Sequence, residues 1–115
     1  MVTQLDGEYL INATLTDVTP NLPGRGLRVR AFPNPFNPSV RISFMNPARG
    51  DVSATIYDPL GRRVAVLVSR AMEAGEQHLE WDGRDAARRE APSGVYFLRV
   101  SAAGTSESIK LVLLR

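Results

Sequence analysis

The feature that most limits what this chain can fold into is a series of short runs in which apolar and polar residues alternate, each closed by Gly, Pro, Asn or Asp. Alternation with period two places one set of side chains on a single face of a strand, whereas a helix would need apolar residues three and four apart. Val40, Ile42 and Phe44 alternate with Arg41 and Ser43. Val52, Ala54 and Ile56 alternate with Ser53, Thr55 and Tyr57. Val64, Val66 and Val68 predict a third inward face, and Leu79 with Trp81, beside His78 and Glu80, a fourth. Tyr96, Leu98 and Val100 form a fifth; the flanking Val95 and Phe97 are also apolar, as suits a more central strand. Ile109, Leu111 and Leu113 form the last, and Leu27, Val29 and Ala31 against Arg28 and Arg30 supply an earlier one.

The punctuation agrees with this division. Asn46-Pro47, Asp58-Pro59-Leu60-Gly61, Ala74-Gly75, Asp82-Gly83, Ser93-Gly94 and Ala103-Gly104 all carry turn chemistry. About seven short strands in under ~90 residues predict an all-β chain, an immunoglobulin-like β-sandwich of antiparallel strands. Residues 83–91 read either as a helical turn or as a long loop. The sandwich domain is set at residues 27–115. Residues 1–26 read as a linker or as an extra N-terminal strand from a preceding region. Within them, Tyr9, Ile11, Ala13 and Leu15 share a face of a strand over 8–18, and Thr19 to Gly26 has linker composition.

Composition enters as a filter on function. The 115 residues suffice for one cored domain. Fourteen basic against twelve acidic residues leave a net charge of +2, and the arginines are scattered singly or in pairs along the chain. A nucleic-acid partner is therefore not expected, because such proteins gather their cations into a patch or stripe. No stretch approaches the ~20 apolar residues of a membrane span, so no membrane insertion is expected. The first residues have neither the basic nor the apolar region of a signal peptide, so for a secreted parent protein the export signal is expected to lie outside this stretch or to have been removed.

Catalysis has little to stand on. With no cysteine and one histidine, His78, set outward on a strand, neither a nucleophile–base pair nor a set of metal ligands can be assembled from the motifs present. The expectation is a non-enzyme with no cofactor. Calcium is the single exception considered, with Asp82, Asp85 and Asp58 as oxygen donors from loops, although their spacing does not follow an EF-hand. Arg49-Gly50-Asp51 spells an integrin-binding tripeptide but falls where Gly and Asp serve a turn. Trp81-Asp82 echoes a propeller dipeptide without the repeat that a propeller needs, so Trp81 is expected to be the core's large anchor.

Several segments taken in order resemble a known family. They are Phe32-Pro33-Asn34-Pro35-Phe36-Asn37-Pro38-Ser39 before Val40-Arg41-Ile42, then Ile56 to Val64, Trp81-Asp82-Gly83-Arg84-Asp85, and Ser93-Gly94-Val95-Tyr96-Phe97-Leu98-Arg99. With Lys110-Leu111-Val112-Leu113-Leu114 at the close, they look like bacterial C-terminal Ig-like domains. That group includes the type IX secretion sorting domains and the Ig-like domain of the flagellar hook-capping protein. The resemblance covers residues 28–115. It implies a sorting or attachment domain of a secreted bacterial protein, placed extracellularly or on the cell surface and read by an outer-membrane secretion apparatus. Pro92, Gly94 and Tyr96 match the family's P-x-G-x-Y element, and Lys110 with Val112 and Leu114 its terminal element. The chain departs from sorting domains in having one lysine near its end, so an Ig-like relative with another role stays open.

The same residues also have a plain structural reading. Pro33, Pro35 and Pro38 exclude a central strand and predict a stiff, extended lead-in with Phe32 and Phe36 available to pack. Tyr96 sits as the tyrosine of an Ig corner does, its hydroxyl bonding back to backbone. If the last strand is a sheet edge, its unpaired backbone could add to a partner's sheet. An alternative partner is another copy of the chain, with residues 8–18 donated as a strand to build an extracellular fibre or surface layer.

Overall fold

A computed structural model describes residues 26–115. Seven strands follow one another: β1 (Arg30–Phe32), β2 (Val40–Asn46), β3 (Gly50–Tyr57), β4 (Arg63–Met72), β5 (Gly75–Trp81), β6 (Gly94–Ala102) and β7 (Thr105–Leu113). They form two antiparallel sheets, β1-β2-β5 and β4-β3-β6-β7. The all-β sandwich expected from the alternation is what forms. The reading of residues 1–26 as linker or extra strand falls, but for Gly26, outside the described residues.

The inward residues of both sheets meet in one core. Val40, Ile42 and Phe44 from β2 face Val52, Ala54 and Ile56 from β3, Leu98 and Val100 from β6, and Leu111 and Leu113 from β7. Trp81, at the end of β5, is fully enclosed, as its size and isolation in the sequence led one to expect. Asn46 is the buried polar exception among the described residues; its amide donates to the Met72 and Glu73 carbonyls at 3.2 and 2.8 Å and so holds the β4–β5 turn.

Strand β4 departs from the simple alternation. Pairing with β3 skips Leu67 between Ala54↔Val68 and Thr55↔Val66, and skips Val64 between Ile56↔Ala65 and Tyr57↔Arg63. Each skip is a bulge, which puts two residues opposite one and reverses which face the next side chain takes. Val64, Val66 and Val68 therefore do not share a face: Ala65 and Val68 are buried, while Val66 is 48% exposed. The N-terminal run is also shorter as a strand than its alternation implied. Arg28 takes φ 54°, and only Arg30–Phe32 pairs with β2, although Leu27 and Val29 still bury. Residues 83–91 form no helix; Arg84 bridges Glu90, and the loop closes on itself with Arg88 N–H donating to Asp85 C=O at 2.9 Å.

The bulged register is testable by truncation. Ile56→Ala should cost about 2–5 kcal/mol in denaturant unfolding, because it empties a fully buried site. Val66→Ala should stay within about 0.5 kcal/mol, whereas an unbroken alternation would make it comparable to Val68→Ala.

Candidate recognition site

The motifs that stand apart in the sequence come together at one end of the sandwich. The Pro33–Pro38 stretch does not run straight: it bends at Pro33–Pro35 and again at Asn37–Pro38. The bends turn Phe36 inward, 2% exposed, and leave Phe32 79% exposed, so only one of the two phenylalanines expected to pack does so. Phe36 meets Trp81 at 5.5 Å between ring centroids, tilted by 57°, and Trp81 meets Tyr96 edge-on at 5.2 Å and 72°. Tilted and edge-on contacts set the positive ring edge against the negative face, adding about 0.5–1.5 kcal/mol per pair beyond burial. Trp81 Nε1–H donates to Arg84 C=O at 2.9 Å, and Tyr96 O–H to Pro92 C=O at 2.6 Å. The second bond makes the corner anticipated for Tyr96. Burial pushes the Tyr96 hydroxyl's pKa above its usual value, so it stays a donor.

The bent loop also covers the outer edge of the last strand. β7 is an edge of its sheet, and an edge strand presents unpaired N–H and C=O groups. Asn34 fills two of them with its side-chain amide: Nδ2–H donates to Lys110 C=O at 2.9 Å and Oδ1 accepts from Val112 N–H at 3.0 Å. Phe36 fills the next two through its backbone, donating to Val112 C=O at 2.9 Å and accepting from Leu114 N–H at 3.0 Å. Between 110 and 114, addition of a partner strand would first require the loop to leave.

Beside this edge, Arg115 ties together the two ends of the connection between β5 and β6. Its backbone N–H donates to Ser93 Oγ at 2.8 Å, its Nε–H to Ala91 C=O at 2.6 Å, and its terminal guanidinium nitrogen to Gly83 C=O. Gly83 has φ 76°, and a Cβ there would lie 2.9 Å from Pro38 C=O and from the Arg115 guanidinium. Only glycine suits that backbone and that space.

The three aspartates considered for calcium each serve their own loop. Asp58 accepts from the Leu60 and Arg62 amides, both at 2.9 Å, and from Arg62 Nε at 2.8 Å. Asp85 repeats the pattern with the Ala87 and Arg89 amides and an Arg89 ion pair. Asp82 accepts from the Arg84 amide and pairs with Arg88. The Arg62 backbone amide chiefly lowers the Asp58 pKa, and the Arg89 backbone amide that of Asp85. For Asp82 burial pushes upward, but the bonds from Arg88 and Arg84 together outweigh it and the pKa falls. Among the described residues no three His, Cys, Asp or Glu side chains gather to hold an ion. His78 sits exposed on β5, and Arg49 of the Arg-Gly-Asp tripeptide is paired with Glu73 at 3.0 Å while Gly50 and Asp51 begin β3.

The sequence-derived recognition residues thus divide. Lys110 and Leu114 are exposed, Val112 is half-buried, and Pro92 and Gly94 form an outer corner. Tyr96 is inside the core, so it shapes that corner instead of presenting its own ring. Asn34 and Arg115 are the residues whose roles sequence reasoning missed. An asparagine between two prolines was the available signal for the first; nothing in the sequence signalled the second.

Comparison with known proteins agrees with this architecture. The model of the FlgD Ig-like domain family matches residues 36–106. Two solved structures from Porphyromonas gingivalis share the fold. PorZ, described as an essential bacterial surface component of the type-IX secretion system, is 24% identical with a TM-score of 0.56, the match covering 76% of this chain and 12% of that chain. Dimeric latent PorU is 20% identical with a TM-score of 0.58, covering 75% of this chain and 9% of that one. This chain therefore spans a small part of either protein's length. No curated protein matches.

Tyr96→Phe removes one hydrogen bond and should lower stability by about 1 kcal/mol in urea unfolding; no change would mean that the corner contributes nothing. The aspartate loops predict a pH dependence. Their folded pKa values are depressed, so their contribution is complete above the unfolded value near ~4 and is lost as pH falls through the folded values. Thermal melts from pH 6 downward should show that loss, and Asp58→Asn with Asp85→Asn should flatten it.

Proposed function

The chain belongs to the FlgD Ig-like domain family, and from that membership we propose that it is a non-catalytic sorting or attachment domain, read as a folded unit by a bacterial secretion or cell-surface protein. What carries the reading is the closed end of the sandwich. The Pro33–Pro38 loop, the Trp81–Asp85 turn, the Pro92–Tyr96 corner and the terminal strand build one rigid element, in which Asn34 and Phe36 hold residues 110–114 in fixed register. A pre-formed element is recognised without the cost of ordering it on contact. PorZ, whose fold this chain shares, is a surface component of the type-IX system, which supports an extracellular or cell-surface location and a protein partner from that apparatus. Lys110 and Leu114 supply the exposed side chains of the element, and Pro92 and Gly94 its outer corner.

The test is export. The full chain is fused behind a reporter in a bacterium with a type-IX system, alongside a version ending before Lys110 and one carrying Asn34→Ala. The reporter should reach the surface with the intact chain and be retained with the truncation. Asn34→Ala should lower export in step with its loss of stability, about 1–3 kcal/mol. Equal export from all three would sink the reading. Large assemblies of the purified chain in light scattering, lost when residues 1–26 are removed, would point instead to the strand-donating subunit.

A further inference from the structure

The outer face of the four-stranded sheet carries a feature that the closed end does not explain. Register places Arg63, Tyr57, Phe97 and Lys110 in one row across β4, β3, β6 and β7. At a strand spacing of about 4.8 Å, two aromatic rings lie between two cations about 14 Å apart. The adjacent row is Val66, Thr55, Arg99 and Ser108, and on the far side Val95 pairs with Val112. Phe97 is 37% and Val66 48% exposed, and Arg63, Arg99 and Lys110 are all exposed.

Charge on this face is segregated. The six ion pairs of the described residues join Arg30, Arg49, Arg62, Arg88, Arg89 and Arg115 to acids elsewhere, and none includes Arg63, Arg99 or Lys110. Asp51, at the opposite end of β3, is the one acid on the face among the described residues. A second copy presenting the same cations would be repelled, so self-pairing through this face is disfavoured.

We propose that this face is a docking surface for a protein partner that presents carboxylates around an apolar centre. The proposal rests on the reading of the domain as a recognised module and names the surface through which recognition would occur. Charge complementarity demands an anionic partner, and the apolar residues choose its class. Val66, Val95 and Val112 border the rings, and branched aliphatics gain from burial against apolar side chains, not against sugars or phosphates. Stacked bases need a well-presented ring face, whereas Phe97 exposes little more than a third of its surface and Tyr57 is half-buried. Aromatic and arginine side chains with few acids are the composition of a protein interface core.

A random copolymer of glutamate and tyrosine supplies the test probe, against polyglutamate, heparin and an oligothymidylate, each titrated into the full chain at about 0.15 M salt. The copolymer should bind at least about tenfold more tightly than the other three. Arg63→Glu with Lys110→Glu should lower its affinity at least tenfold, as should Phe97→Ser, or Val66→Ser should Phe97→Ser fail to fold. Arg41→Glu, on the other sheet, should leave it unchanged. Heparin or the oligonucleotide binding as tightly as the copolymer, no copolymer binding, or an equal loss in Arg41→Glu would each overturn the proposal. Such a result with the purified chain counts against this face alone; the recognised-domain reading falls only if export ignores truncation of the last strand.

Discussion

The structure depends on how the last strand's open edge is closed. A β-strand at a sheet edge carries backbone donors and acceptors that some partner will find, in the same molecule or another. Here Asn34 reaches across with its amide and imitates one residue of a neighbouring strand, and Phe36 follows with its backbone. Proline makes this possible: it fixes φ and lacks an N–H, so Pro33, Pro35 and Pro38 bend the loop without leaving amide donors of their own to satisfy. The ring of Phe36 then anchors the loop on Trp81, which links edge closure to the core.

The rest of that end follows from the same anchor. Trp81 is placed by β5, takes Phe36 on one side and Tyr96 on the other, and bonds to Arg84 in the turn that Gly83 begins. Arg115 spans from Gly83 to Ala91 and Ser93, joining that turn to the corner below Tyr96. Segments nearly eighty residues apart in sequence are thereby one rigid body. On the proposed reading, what this end of the domain offers a partner is its shape.

Much of the fold was legible because alternation is a local property. Strands β2, β3, β5, β6 and β7 turn toward the core the residues that their period-two pattern selects, Leu79 and Ile109 only partly buried at its margin, and Trp81 and Tyr96 take the places that size and a preceding glycine imply. Strand β4 was misread because a bulge leaves no mark in a run of valines: Val64, Val66 and Val68 look like one face until Leu67 and Val64 drop out of the pairing. The site was legible only as a set of motifs. Asn34 at Lys110 and Val112, and Arg115 at Gly83, are contacts between remote residues that no spacing rule encodes. The row Arg63–Tyr57–Phe97–Lys110 was hidden in the same way, since it exists only once the register of four strands is known.

Amide hydrogen exchange at Val112, Leu114 and Ser108 tests the edge closure most directly. The Val112 and Leu114 amides are bonded to Asn34 and Phe36, while Ser108 faces the same edge by alternation, beyond the loop. The account predicts that Val112 and Leu114 exchange only through unfolding of the whole domain, far more slowly than Ser108. Exchange of all three at one fast rate would show an open edge, and would contradict the claim that this end of the domain is held shut.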